Sequence, residues 1–513
     1  MAYRILSRAN FNRTLLGLLL LLVVGSVISY VIYGPYYSPD TVNYFNYSLH
    51  LFNSSKWQGI YSPAYPFLLH ALRLTGLSTF SAANVLIIIQ YGISIYFLYC
   101  WTKITAEHYW LSRRKQMSLL LLLLIVFHSW WSYRMITWAH ADSIFYCLLI
   151  IWAYCLCRCY LSTHWMQLLI LSLFSAALIW VKLNTLAIVP FFLSLLVWDK
   201  DRIRWLAPLV ATLTSYIAYK AISGYEFWGA ANAADEATDP LPTDSILLLF
   251  NNLSLFFKST LGFFLSDFLT AHIPFLLAVI GGIILLALCF YLAFFEIRKS
   301  LTLTSVYLLF GLVYLLCQLA FLQMIGSEEI NYRTLFPFFL VGSWYGLVKF
   351  FYVRRVAART MLCIALLIAG HSMVGYVWTW NRHDVNSLFD VNRLQKSSFT
   401  EKLRQHDQST QIITFASNRP EMLGLLLDNP SVVAYNPEFL FIQGKRREVS
   451  ESRRKELLRQ LMKRLQYGEL VLVLFGQDPS LYEFMNIHNL QITKFEEGLI
   501  LSVKKRPDNN CST

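Results

Sequence analysis

Long apolar stretches alternate with short polar connectors from about residue 15 to residue 380, a spacing that predicts membrane-crossing helices. Leu15 to Ile32 carries no charge and is long enough to cross a hydrocarbon core of about 30 Å. Inside that core each backbone polar group must bond within its own segment, so such runs form helices. A window of about 19 residues places about eleven of them. They are Leu15–Tyr33, Phe80–Trp101, Met117–Tyr133, Asp142–Cys157, Trp165–Val181, Leu183–Trp198, Trp205–Ile222, Ala271–Phe295, Leu301–Met324, Thr334–Phe351 and Thr360–Trp380. Trp165–Trp198 is one apolar stretch with Lys182 at its centre. It is either a hairpin or one kinked span, and connector charge selects the hairpin.

Beyond Trp380 charges become frequent and apolar runs shorten. Ile412–Ala416, Val432–Tyr435, Leu470–Phe475 and Leu499–Val503 read as strands, and Arg446–Leu465 reads as a very basic amphipathic helix. That helix either meets anionic headgroups or glycans or is an ordinary solvated face. The expected fold is therefore an α-helical polytopic membrane protein, residues 1–380, followed by a small soluble α/β domain, residues 381–513. No internal repeat appears.

Composition agrees: 56% of residues are hydrophobic and 14% charged, against about 25% charged in soluble proteins. The net charge of +13 comes from connectors, which makes it a topology signal rather than a nucleic-acid footprint. Arg4, Arg8, Arg13, Lys103, Arg113, Arg114, Lys115, Arg158, Lys200, Arg202, Arg204, Arg298, Lys299, Arg354, Arg355 and Arg359 lie in one alternate set of connectors. Asp40, Asp142, the stretch Asp235–Asp244, Glu328 and Glu329 lie in the other. The positive-inside rule puts the N-terminus in the cytoplasm and the C-terminal domain outside it. Arg4, Arg8 and Arg13 also resemble the start of a signal peptide, but the run after them exceeds an h-region and no cleavage site follows, so it reads as an uncleaved span. The cysteines, including Cys155, Cys157 and Cys159, have no metal-ligand spacing and do not report a compartment.

Candidate chemistry gathers in the acidic connectors. Asp40 follows Pro39 just past the first run. It is either a capping aspartate or a general base held at the bilayer boundary. Asp142 opens a later run, as a helix cap or as a second acid of a site. Lys182 between two apolar halves either snorkels to the interface or meets an anionic partner such as phosphate. Arg333 in Tyr332-Arg333-Thr334 runs against its acidic surroundings. It pairs with Glu328 or Glu329, or presents its guanidinium to a phosphate. His140, His272 and Glu226 offer no metal-binding pattern. No Walker loop, dinucleotide fingerprint or His-Glu-x-x-His is present, which argues against a nucleotide-driven transporter.

The order of these features resembles the bacterial GT-C membrane glycosyltransferases, the group containing protein O-mannosyltransferases and lipid A aminoarabinose transferases. The residues carrying the resemblance are Asp40, Pro63-Ala64-Tyr65-Pro66-Phe67-Leu68-Leu69, Ala141-Asp142-Ser143-Ile144-Phe145, Ala177 to Lys182 and Tyr332 to Pro337. The resemblance implies inverting sugar transfer from a polyprenyl-phosphate donor to an extracytoplasmic glycan, lipid or protein, in a bacterial inner membrane. It implies Asp40 as the base and Asp142 as the second acidic position. It implies Lys182, Arg333 and Tyr332 as ligands of the lipid phosphate, with no cofactor. Thr41 stands where many relatives carry a second carboxylate, and Ser62 where aminoarabinose transferases tend to carry Lys. A glycan polymerase or ligase on undecaprenyl-linked chains, and a transporter or flippase, are the alternative readings. Transport predicts charges near the bilayer midplane and often related halves, whereas these charges sit at the ends of runs.

Overall fold

The computed structural model describes residues 8–35, 41, 44–45, 48, 63–162, 164–223, 245–264, 267–299, 301–325, 332–352, 356–381 and 397–404, with separate pieces from 411 to 503. The chain forms two compact units. The first comprises residues 1–36, 52–68 and 83–381. From residue 8 the chain runs through α1 (Arg8–Tyr33), α2 (Ala64–Arg73), α3 (Thr79–His108), α4 (Arg113–Phe127), α5 (Trp130–Ile136), α6 (Ala141–Leu161), α7 (Trp165–Val181), α8 (Ile188–Trp198) and α9 (Leu206–Ser223), with the end of α2 and the start of α3 counted in the second unit. It continues through α10 (Ser245–Phe264), α11 (Asp267–Ala271), α12 (Phe275–Lys299), α13 (Leu303–Ile325), α14 (Tyr332–Tyr352) and α15 (Val356–Asn381). Among the described residues seven helices are long and apolar enough to cross a membrane, or eight if α4 and α5 make one span. The protein is a polytopic helical membrane protein.

The expected run Met117–Tyr133 is not one helix. It breaks after Phe127, and α5 leaves α4 at 67°. Ser129 supplies the new N-cap, its side chain accepting from the Ser132 N–H. The Ser132 hydroxyl donates to the Val126 carbonyl at 2.9 Å, and the Tyr376 hydroxyl donates to that of His128 at 2.8 Å. Those carbonyls are satisfied at the break instead of by a continuing helical ladder.

The stretch around Lys182 is a hairpin. Lys182 Nζ reaches Asp142 at the start of α6. Trp152 Nε1 donates to Ser175 Oγ at 2.9 Å in the middle of α6 and α7. Arg204 Nη1 donates to the carbonyls of Cys159 and Tyr160, 3.4 Å each, at the end of α6. The chain therefore ascends α7 antiparallel to α6, turns through a 3-10 segment at Leu183–Ala187, and returns along α8. Just past α8, Asp199 accepts from Arg204 Nη2 and Trp205 Nε1, 2.6 Å each. Burial opposes the Asp199 charge, but these bonds and the Asp201 N–H outweigh it and hold the carboxyl below its usual range.

Other basic residues lie at this same end. Lys115 Nζ donates to the Phe351 carbonyl at 3.0 Å, and Lys349 pairs with Glu296.

Helix α10 has no counterpart among the expected runs. It packs on α12 where two glycines remove the side-chain layer. A Cβ on Gly282 would lie 2.3 Å from the Leu253 carbonyl oxygen, and one on Gly281 would lie 2.6 Å from the Phe257 ring. Phe256 and Phe263, seven positions apart, reach Phe338 and Phe339, which are adjacent. So α10 crosses α14 steeply instead of running beside it.

The second unit comprises residues 37–51, 69–82 and 382–513. Its five-stranded sheet has the order β2-β1-β5-β7-β6. The strands are β1 (Gln411–Phe415), β2 (Val432–Tyr435), β5 (Leu470–Phe475), β6 (Leu490–Lys494) and β7 (Gly498–Val503). β1 is parallel to β2 and β5, whereas β7 is antiparallel to β5 and β6. β3 (Phe439–Ile442) and β4 (Lys445–Glu448) form a separate hairpin. The expected helix Arg446–Leu465 is corrected at its start, because Arg446 and Arg447 pair in that hairpin with Phe441 and Leu440. Before β1, α16 (Ser398–Arg404) buries Phe399 and Leu403.

Candidate functional site

Three helix ends from distant parts of the sequence meet on one carboxylate. Asp142 lies in the first turn of α6, where the helix dipole favours negative charge. The cap itself is His140, whose Nδ1 accepts from the Asp142 N–H at 3.2 Å. Asp142 therefore does not cap the helix; its Oδ2 lies 3.2 Å from His140 Nδ1, and its carboxylate also faces two other elements. Lys182 stands between α7 and the 3-10 turn in an extended conformation. Its backbone N–H closes α7 on the Leu178 carbonyl, and its Nζ bonds Asp142 Oδ1. Arg333, second residue of α14, brings Nε to Asp142 Oδ2 as an ion pair without hydrogen-bond alignment.

Exposure divides the three groups. The Asp142 side chain is 1% exposed, Lys182 14% and Arg333 27%. The carboxylate is enclosed while both cations reach accessible space. An arriving anion meets ammonium and guanidinium first. Burial makes each charge dependent on its partners, since an isolated ion in a medium of low polarity is costly.

Aromatic rings fix the arrangement. The Arg333 guanidinium lies 5.2 Å from the Trp138 ring centre, and that ring lies 4.7 Å from His140. Lys182 Nζ sits 5.5 Å from the Phe145 ring. The Tyr146 hydroxyl donates to the Arg333 carbonyl at 3.0 Å while its ring packs 3.9 Å from Phe336. Below Lys182, Asn184 Nδ2 donates to Gln318 Oε1 at 3.1 Å, tying the hairpin turn to α13.

Of the residues singled out from sequence, Asp142, Lys182 and Arg333 come together. Tyr332 stacks on Trp131 at 3.8 Å. Asp40, Glu226, Glu328 and Glu329 lie outside the described residues. Arg333 pairs with Asp142, a partner not anticipated for it. Trp138, Tyr146 and Gln318 were also not anticipated. Trp138 and His140 flank Ala139 directly before Asp142, and that proximity was the available signal. Among the described residues no group of three His, Cys, Asp or Glu side chains could hold a metal ion.

No protein-family profile matches the chain, and no curated protein matches it. Several solved structures are similar to it. ArnT from Cupriavidus metallidurans bound to undecaprenyl phosphate has a TM-score of 0.48 and 11% identity, over 94% of this chain and 97% of that one. The oligosaccharyltransferase of Archaeoglobus fulgidus in the apo form has a TM-score of 0.48 and 12% identity, over 91% of this chain and 71% of that one. The archaeal oligosaccharyltransferase AglB from Archaeoglobus fulgidus, in complex with an inhibitory peptide and a dolichol-phosphate, has a TM-score of 0.47 and 12% identity, over 91% and 70%.

Proposed function

We propose that this protein is a membrane glycosyltransferase that moves a hexosyl or pentosyl group from a polyprenyl-phosphate donor to an extracytoplasmic acceptor, with inversion. The observation that carries the reading is the convergence of Lys182 and Arg333 on one enclosed carboxylate, with both cations turned to accessible space. A lipid phosphate arriving from the bilayer bridges the ammonium and the guanidinium, whose planar fork suits two phosphate oxygens. Asp40 takes the proton from the acceptor hydroxyl. The oxygen attacks the anomeric carbon opposite the phosphate, the carbon–phosphate oxygen bond breaks, and lipid phosphate leaves with the electron pair. Charge gathering on the leaving oxygen is offset by cations already in position. Asp142 is a positioning residue in this scheme, because its carboxylate is committed to the two cations.

The basic connectors gather at the end of the helices opposite Asp142. Put in the cytoplasm by the positive-inside rule, that end leaves the site at the outer surface of a bacterial inner membrane. Residues 1–380 then form the membrane domain, and residues 381–513 an extracytoplasmic domain. The test is transfer from radiolabelled polyprenyl-phosphate sugars in membranes, comparing wild type with Asp40→Asn at matched expression. Transfer by wild type and a loss of about 10²–10⁴-fold in the variant is expected for removal of a general base. Equal transfer by both removes Asp40 from that role, and no transfer from any donor in a broad panel defeats the reading.

A further inference from the structure

Helix α5 has seven residues. Isolated helices shorter than about 12–15 residues are marginal, so a piece of this length takes its stability from what it packs on. The break before it also frees backbone groups that a continuous ladder would use. Helix α15 takes up one donor and one acceptor. The Trp130 N–H, first in α5, donates to Ser372 Oγ at 3.0 Å. The Ser372 hydroxyl proton goes to the Ile368 carbonyl at 2.6 Å, which leaves the oxygen to accept. The His128 carbonyl accepts from the Tyr376 hydroxyl at 2.8 Å. In an unbroken helix that carbonyl would take the Ser132 N–H, which here turns to Ser129 Oγ.

Shape reinforces the two bonds. A Cβ on Gly375 would lie 2.6 Å from Cγ of the Trp130 indole, so the ring rests directly on the backbone of α15. The Tyr376 ring meets Trp130 and Tyr133 edge-on, at 5.5 Å and 5.2 Å between centres. A Cβ on Gly25 of α1 would lie 2.8 Å from that same ring, so α1 confines Tyr376 as well.

The remaining contacts of α5 lead to the ion cluster. Trp131, next to Trp130, stacks on Tyr332 with ring centres 3.8 Å apart and planes 13° from parallel. Tyr332 precedes Arg333 at the start of α14. Trp138 follows shortly after α5 and lies 5.2 Å from the Arg333 guanidinium. The chain between α5 and α6 has little slack. The Thr137 N–H donates to the Tyr133 carbonyl at 2.9 Å, and the His140 N–H donates to that of Trp138 at 2.8 Å. A displacement of α5 therefore reaches Tyr332, Arg333 and the His140 cap of α6 together.

We infer that Ser372 and Tyr376 are positioning residues for the donor phosphate: through α5 and its tryptophans, α15 sets the place of the Arg333 guanidinium. The consequence for donor binding rests on the glycosyltransferase reading; the mechanical link from α15 to Arg333 does not.

Tyr376→Phe and Ser372→Ala each remove one of these bonds and little volume. Tyr160→Phe is the control, because it removes an equivalent tyrosine–carbonyl bond, to Leu301, at the end of α6 remote from Asp142. Hydrogen–deuterium exchange of the full chain in detergent tests the link. Peptides covering residues 130–142 and 332–336 are expected to exchange severalfold faster in the two α15 variants and at the wild-type rate in Tyr160→Phe. Unchanged exchange at 332–336, or an equal rise in Tyr160→Phe, overturns the proposal. Binding of radiolabelled undecaprenyl phosphate, with the KM and kcat of sugar transfer, tests the consequence. Affinity should fall, and KM for donor rise, by about 2- to 10-fold, the scale of one hydrogen bond, while kcat at saturating donor stays unchanged. Combined with Trp138→Ala, the same changes should add less than they do alone, because the ring that passes the displacement to Arg333 is gone. Unchanged affinity, a fall in kcat alone, or full additivity with Trp138→Ala overturns the positioning role. Wild type that binds no undecaprenyl phosphate, with the exchange difference present, defeats the glycosyltransferase reading and leaves the link to Arg333 standing.

Discussion

Lys182 closes on Asp142 across 40 residues of sequence, and this ion pair joins the turn of one helical hairpin to the first turn of the helix before it. The lysine carries out two tasks at once, ending α7 with its backbone and anchoring Asp142 with its side chain.

Asp142→Asn leaves two cations without their shared carboxylate. Removing one member of a buried pair costs about 3–5 kcal/mol. Because Lys182 and Arg333 keep some exposure, the lower end of that range is expected as a loss of thermal stability in detergent. Asp142→Asn combined with Lys182→Met should cost less than the sum of the two single changes. Additive losses would show that the pair is not coupled.

Arg333→Lys keeps the charge but loses the planar fork and the stacking on Trp138. The KM for donor should rise by about 10-fold or more, the scale of one charge-assisted hydrogen bond. Trp138→Phe should preserve most of the affinity and Trp138→Ala should not. Equal KM in Trp138→Phe and Trp138→Ala would leave the ring without a part in placing Arg333.

Gly282→Ala forces a methyl group against the Leu253 carbonyl. Overpacking of this kind costs about 1–3 kcal/mol or more. Gly17→Ala meets nothing within 4 Å and should be neutral or stabilising by about 0.5–1 kcal/mol. Thermal unfolding of the two variants side by side checks both signs.

Asp199 gives a pH dependence with a fixed sign. Its carboxyl is held below the usual range in the folded protein. Its stabilisation is therefore complete above the unfolded value of about 3.9 and lost as pH falls through the lower folded value. The gap in stability between wild type and Asp199→Asn should be constant from neutral pH down to about pH 5 and shrink below about pH 4. A gap that widens in acid would contradict the depressed carboxyl.

Much of this arrangement was legible in the apolar runs. Each expected run has a helix at its position, because lipid leaves the backbone no other way to bond. The hairpin at Lys182 followed from connector charge, and the contacts of Lys182 and Arg204 with opposite ends of α6 agree with it. Strands stand where four β-rich segments were recognised, but β3, β4 and β6 were not foreseen. Arg446 and Arg447 look helical by charge and composition, yet cross-strand pairing with Phe441 and Leu440 decides their state. The resemblance put Asp142, Lys182 and Arg333 in one site, but the direct pairing of both cations with Asp142 was not legible, since each residue alone had a local partner or role to explain it. Helix α10 was missed because Asn251, Asn252 and Lys258 dilute its apolar pattern. The α4–α5 break follows from bonds to residues as distant as Tyr376, which no local window contains.

The turn at Lys182 also bears on the bilayer itself. At a rise of 1.5 Å per residue, α7 is about 26 Å long. The returning arm from Leu183 to Trp198 is of similar length, with its first turn of 3-10 geometry. Both fall short of a hydrocarbon thickness of about 30 Å. Two short neighbours produce hydrophobic mismatch along that flank, which lipid relieves by thinning. On the glycosyltransferase reading, such thinning beside the hairpin would bring a lipid phosphate nearer the depth of Lys182.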